Sequence, residues 1–355
     1  MLAVESALPV SYFGKLPSRG DFVRTPESHQ LMVLLDRWAG QGVELLAQDP
    51  DWKQLYDRAA PMHFAFLGSR SKLAIGGHFL PSRDASERRF PFLSASRLEV
   101  AQPLGFITRS PLALSRLWAS LARLGQHALH ADDAGEPLRE LAESRIAVNP
   151  DHAMYDAPFA DFLDMQDIGS LQALLRDSGH AHVQLKWLLP ALGLLLQPVL
   201  TGGAARIDKG LALPLPRDAL YRPLVAAFWL DLVSGFIGRA DFELAILIKD
   251  GASRNVHDAH DGPAPAHGTA ADGSRPGDRA PQLLVGFNGA DGRILQAALD
   301  PRVAAEHLIR IDDADWVEDH VAGDYALNKL VSYLERDALS LRVARKAFGE
   351  TFLGT

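Results

Sequence analysis

The stretch MHFAFLGSRSKLAIGGHFLP, residues 62–81, decides how this chain folds. Met62, Phe64 and Phe66 alternate with other residues and so share one face of a strand. GSRSK supplies a turn and LAIGGHFLP runs back, which makes the segment a β-hairpin. Just downstream, RRFPFLSASRL, residues 88–98, reads as a further strand bent at Pro91. Upstream, in YFGKLPSRGDFV, residues 12–23, Tyr12 and Phe13 suggest a short strand that runs into a Gly/Pro turn.

Helical patterns flank these strands. TPES, residues 25–28, opens a helix, with Thr25 as cap and Pro26 at the first helical position. Leu31, Leu34, Leu35, Trp38, Leu45 and Leu46 form its apolar face. A short helix follows within residues 49–61, ending at Pro61. Ser110 caps another, with Pro111 behind it and Leu114, Leu117, Trp118, Leu121 and Leu124 as the buried stripe. A further amphipathic helix is expected over 136–146. Strands interleaved with helices argue for a sheet covered by helices.

A second block begins after Asn149 and Pro150, so the chain divides into 1–150 and 151–355, whether or not the two share one sheet. In the second block, helices are expected near 158–163 and 168–176, over 217–238, after Asp300-Pro301, and over 325–348. Strands are expected over 205–215, 241–251 and 281–291, the second of them central. The segment 250–281 is rich in Gly, Ala, Pro, Asp and Ser. It has too little apolar surface to offset the entropy of ordering, and it is expected to be a mobile loop between adjacent strands.

Composition narrows the function. The 355 residues include no cysteine, which excludes disulfides, thiolate metal sites and cysteine nucleophiles. A net charge of −8, from 36 basic against 44 acidic residues, argues against general nucleic-acid binding. The N-terminus lacks the pattern of a signal peptide. WLLPALGLLLQPVL, residues 187–200, falls short of the roughly 20 residues that a membrane span needs, and prolines interrupt it. It reads as a core segment, and the protein is expected in the cytoplasm.

The motifs that suggest chemistry do not complete themselves. Lys15 precedes its glycine loop, whereas a P-loop needs the lysine after the last glycine. RGD, residues 19–21, reads as a turn in which Gly20 supplies an unusual backbone angle and Asp21 caps nearby amides. His257, His260, His267, Asp258 and Asp261 form the one cluster that suggests a metal-dependent hydrolase, but they fall in the loop expected to be mobile, and a catalytic site needs rigid ligands. His180 and His182 share at best one strand face, and His63 and His78 read as structural. Asp312, Asp313 and Asp315 look like a solvated acidic turn. No serine elbow or dinucleotide fingerprint is present. Neither a cofactor nor a metal is therefore expected. A basic surface remains: Arg70, Lys72, Arg83, Arg88, Arg89 and Arg97, with Lys15, Arg19 and Arg24 close by if the first strand joins the same sheet.

Two segments go further than pattern. YFGKLPSRGDFV and FLPSRDASERRFPF resemble the TagF (ImpM) family associated with type VI secretion. The family's G-K-L-P-x-x-G-D-F is matched at Gly14, Lys15, Leu16, Pro17, Gly20, Asp21 and Phe22. Its P-S-x-D-x-x-G-R-x-F-P is matched at Pro81, Ser82, Asp84, Arg88, Phe90 and Pro91, with Glu87 standing where the family has glycine and Arg89 where an aromatic is common. Leu34 to Trp38, then Trp52, Tyr56 and Pro61, look like further landmarks. The resemblance is clear over about the first hundred residues. It implies an α/β/α sandwich, here with a largely antiparallel or mixed sheet flanked by helices and additional C-terminal helices. It also implies a non-enzymatic accessory protein that represses secretion post-translationally by binding a forkhead-associated-domain scaffold. On that basis Lys15, Arg19, Arg83, Arg88 and Arg89 are the expected partner contacts, and reversing the charges of Arg88 and Arg89 is the natural test. Gly14, Pro17, Gly20 and Pro81 would shape the turns, with Asp21, Phe22, Ser82, Asp84, Phe90 and Pro91 as structural motif residues.

Overall fold

The structure, a computed structural model, describes residues 6–26, 28–201, 207–251, 280–312, 314 and 316–354. The chain opens with β1 (Ser6–Pro9), β2 (Ser11–Gly14), β3 (Val23–Arg24), α1 (His29–Leu46) and α2 (Trp52–Asp57). The expected hairpin follows as β4 (Met62–Gly68) and β5 (Leu73–Leu80), then β6 (Phe92–Glu99), α3 (Pro103–Ala113), α4 (Ser115–His130), α5 (Gly135–Glu143) and β7 (Arg145–Val148). Next come α6 (Asp156–Met165), α7 (Ile168–Asp177), α8 (Leu185–Thr201), β8 (Gly210–Pro214), α9 (Tyr221–Ile237) and β9 (Glu243–Lys249). The last elements are β10 (Gln282–Gly286), α10 (Gly292–Leu299), α11 (Pro301–His307), β11 (Leu308–Arg310), α12 (Val317–Gly323), α13 (Tyr325–Leu334) and α14 (Leu341–Phe352).

One nine-stranded mixed sheet organises the molecule, in the order β11-β8-β10-β9-β4-β5-β6-β2-β3. Among the strands of the described residues the β11–β8 pairing is parallel and the others are antiparallel. The β4–β9 pairing, from Met62↔Lys249 to Gly68↔Glu243, joins strands from either side of residue 150 into this sheet. β1 and β7 form a separate two-stranded ribbon. Alternation then sorts the core. Phe64, Phe66 and Leu247 meet Leu35 and Trp38 of α1 and Leu295 of α10 on one face. Ala65, Leu67 and Ile246 face the opposite side, with Trp118 and Leu121 of α4 and Phe228 and Val233 of α9. The fold is therefore the expected α/β sandwich, and α8, packed against α9, α13 and α14, thickens its second face. No helix among the described residues is long and apolar enough to cross a membrane.

Several local expectations need correction. Thr25 does not cap α1; its Oγ1 accepts from Tyr12 N at 2.8 Å and ties β2 to the chain after β3, and the helix starts later, behind Ser28. Ser110 is no cap either, because α3 begins at Pro103 and contains both Ser110 and Pro111. A proline there lacks the N–H that would reach the carbonyl four residues back, and the Ser110 hydroxyl donates to that carbonyl, Ile107 O, at 2.9 Å. The helix expected over 136–146 stops at Glu143, since Arg145–Val148 pairs with β1. Gly20 does not have a positive φ; Gly14 does, at 140°. His180 is not on a strand but in the turn after α7, buried, its Nε2 facing Pro281 O at 2.9 Å and Leu215 O at 3.2 Å. Asp312 is not solvated: its side chain is 10% exposed, pairs with Arg310 at 2.7 Å and lies 3.7 Å from His180 Nδ1. Asp313, Asp315 and almost all of the 250–281 segment, with its histidine cluster, lie outside the described residues.

Candidate functional site

β2 ends at Gly14, pressed so closely on the start of β6 that a Cβ there would lie 2.0 Å from Pro91 O. The chain then leaves the sheet as the first motif turn, closed by Arg19 N donating to Leu16 O at 3.0 Å. The second motif lies against it. Ser82 Oγ donates to Lys15 O at 2.6 Å, Ser82 N to the Tyr56 hydroxyl at 3.2 Å, and Ala85 N to Arg19 O at 2.8 Å. The two motifs, far apart in sequence, are one knot.

Asp84 is its centre. The carboxylate is fully buried and accepts from Ser86 N at 2.9 Å, Arg88 N at 3.0 Å, Arg88 Nε at 2.7 Å and Lys15 Nζ at 2.9 Å. Burial alone would raise its pKa; the Lys15 ammonium, the two amides and the Arg88 guanidinium outweigh that and hold the carboxyl well below the usual carboxylate range. Arg88 also donates from Nη2 to Gly20 O at 2.7 Å and so ties the second turn back to the first. Glu87 sits in the left-handed region, at φ 62°, where the family pattern has glycine. That conformation costs a non-glycine residue roughly 1–2 kcal/mol.

The five expected contact residues are placed as follows. Lys15 is inside the knot, its ammonium between Asp84 and the ring of Phe22, 5.0 Å from the ring centroid, with only 8% of the side chain exposed. Arg89 turns away to make two bonds to Asp57 of α2, at 2.8 and 2.6 Å. Arg19, Arg83 and Arg88 present guanidinium to solvent while pairing with Asp133, Glu87 and Asp84. The expected shaping residues are in the same knot: Asp21 accepts from Phe22 N at 2.8 Å, and Phe22 and Phe90 pack edge to face at 4.9 Å. Tyr56, Asp57 and Asp133 complete the knot. Only Tyr56 carried a sequence signal, as a family landmark; the two aspartates had none.

Beneath the sheet's second face lies another polar pair. His63 and His78, opposite each other on β4 and β5, bring their Nδ1 atoms to 3.0 Å, and His63 stacks on Trp118 at 5.4 Å. His78 Nε2 is buried without a hydrogen-bond partner. Burial lowers both pKa values, to about 4 for His63, helped by Arg222, and to about 3 for His78, helped by His63 and opposed by Asp250. The ordinary value is near 6.5, so the unfolded chain takes up protons that the folded one refuses. Stability is therefore complete above about pH 6.5 and is lost as pH falls below it, by about 3 kcal/mol for the pair at pH 5.5. Urea midpoints at pH 7.5 and 5.5 check this, and a H63Q/H78Q variant with an unchanged pH slope would refute it. Among the described residues no three His, Asp or Glu side chains group as a metal site.

The first and second motif turns close on one buried carboxylate, and the comparisons match the part of the chain that holds them to a known domain. Residues 11–144 match the model of the TagF N-terminal domain, type VI secretion system-associated, a span that holds the whole knot. The chain thus carries a TagF N-terminal domain over this span. A solved structure, that of PA0076 from Pseudomonas aeruginosa PAO1 at 2.05 Å resolution, is similar at 22% identity and a TM-score of 0.31, over 38% of this chain and 62% of that one. The chain thus spans less than two thirds of that protein. No curated protein matches.

Proposed function

We propose that this protein is a cytoplasmic, non-enzymatic accessory protein of type VI secretion that represses the apparatus post-translationally by docking a forkhead-associated-domain scaffold. The family domain supports the association with the secretion system; the repressor role and the partner follow from what the family resemblance implies. In this proposal residues 1–150 carry the docking turns and 151–355 complete the sheet behind them. The observation that carries the docking surface is the knot itself. Asp84 satisfies its charge internally, and in doing so fixes the backbone that displays Arg19, Arg83 and Arg88. A surface held this rigidly loses little entropy when a partner lands on it. No arrangement among the described residues favours the metal-dependent hydrolase.

The knot redirects the test. Reversing Arg88 would set a second carboxylate beside buried Asp84, and reversing Arg89 would break its two bonds to Asp57, so both changes confuse binding with folding. Arg19 and Arg83 pair only with exposed acids, Asp133 and Glu87, whose side chains are 82% and 65% exposed. The R19E/R83E variant is expected to keep its unfolding midpoint. It should associate with the purified scaffold of the same secretion system about tenfold more slowly at low salt, since rim charges act mainly on the association rate. An unchanged rate would remove this face from the docking surface.

A further inference from the structure

We infer that Phe22 is the anchor of this surface, entering an apolar pocket with an acidic rim on the partner protein; this rests on the docking reading above. Three observations carry it.

First, Phe22 is 43% exposed, while the rings it touches, Phe13 and Phe90, are 7% and 8% exposed. An aromatic ring standing out of its own cluster leaves apolar surface for a partner to cover. Second, the ring is held in place. It stacks on Phe13 at 5.4 Å, meets Phe90 at 4.9 Å and has the Lys15 ammonium 5.0 Å from its centroid, and its own N–H is fixed on Asp21 Oδ1. A ring already ordered loses little freedom on binding.

Third, charge alone gives the surface little. Each of the five cations Lys15, Arg19, Arg83, Arg88 and Arg89 already has a carboxylate partner in the chain. Adding Arg24 and Asp21, six cations face the five carboxylates Asp21, Asp57, Asp84, Glu87 and Asp133. A single net charge is screened within a Debye length of about 8–10 Å at physiological salt. The guanidiniums therefore steer and orient, and the desolvated ring supplies the residence time, as buried aromatic anchors do in other interfaces. Arg19 and Arg88, half-exposed guanidiniums of the same knot, call for carboxylates around the receiving pocket.

The probe is the purified forkhead-associated-domain scaffold of the same secretion system, with the full chain immobilised and both rates measured at 50 and 300 mM NaCl. F22A is expected to dissociate roughly 10- to 100-fold faster with its association rate nearly unchanged, the opposite of R19E/R83E. F22L should restore most of the binding. Unfolding midpoints of both variants check that the knot is intact. If wild-type binds and F22A binds equally, the anchor is overturned while the docking reading stands. If wild-type does not bind the scaffold, the docking reading falls and the anchor with it. Wild-type affinity that drops more than tenfold between the two salt concentrations would assign the binding to charge and overturn the anchor, as would a wild-type dimer in sedimentation that F22A abolishes.

Discussion

Replacing Asp84 with alanine is expected to lower the ratio of folded to unfolded protein by roughly a hundred- to a thousand-fold. The carboxylate is the common acceptor for Lys15 Nζ, Arg88 Nε and the amides of Ser86 and Arg88. Removing it leaves the Lys15 ammonium buried without its counter-charge, which costs more than the ion pair itself contributes. The loss therefore has a signature. In an Asp84→Ala/Lys15→Met double variant the orphan charge is gone, and stability should recover in part, so that the two changes are far from additive. Urea denaturation of the single and double variants measures this. An Asp84→Ala protein that unfolds at the wild-type urea concentration would show that the knot does not depend on its buried acid.

Gly14→Ala should be as damaging by a different route. At φ 140° an L-residue is strained whatever the space around it, and here there is no space: the new Cβ would lie 2.0 Å from Pro91 O and 2.8 Å from Phe92 Cα. Backbone cannot move aside as a flexible side chain can, so β2 must separate from β6, at a cost of about 4 kcal/mol or more. Gly20 in the same turn is the control. It lacks a positive φ and an added Cβ would meet nothing within 4 Å, so Gly20→Ala should stay within about 1 kcal/mol of wild type. Thermal melts followed by circular dichroism compare the two. Equal midpoints for both variants would contradict the close approach of β2 to β6.

The candidate site was legible to the extent that it is carried by chemistry along the chain. The two turn-rich motifs, their glycines and prolines, and the structural part given to Asp84 could be read from residue types and from the family resemblance. The pairing of cations could not. Arg19 finds Asp133, Arg89 finds Asp57 and Lys15 finds Asp84, partners separated by up to 114 positions with no local pattern between them. Of the nine cations that looked like a free basic patch in the sequence, five are paired with carboxylates of the chain. The assignment of the unusual backbone angle to Gly20 instead of Gly14 failed for a related reason. The angle is set by how tightly β2 meets β6 at Pro91, a contact between strands that the turn sequence does not encode.

The sequence by itself determined the elements: the 62–81 hairpin, the apolar faces of α1 and α4, the strands β8, β9 and β10, and the terminal helices. Side-chain periodicity and turn chemistry act over a few residues and need no partner to be read. Tertiary structure decided the rest: that β4 pairs with β9 across the two blocks, that α3 runs through Pro111 because the Ser110 hydroxyl takes over the bond to Ile107, and that Lys15 is buried while Phe22 is not. Each of these depends on which distant groups come together and exclude water, and burial of a charge or exposure of a ring is a property of that assembly, not of the residue.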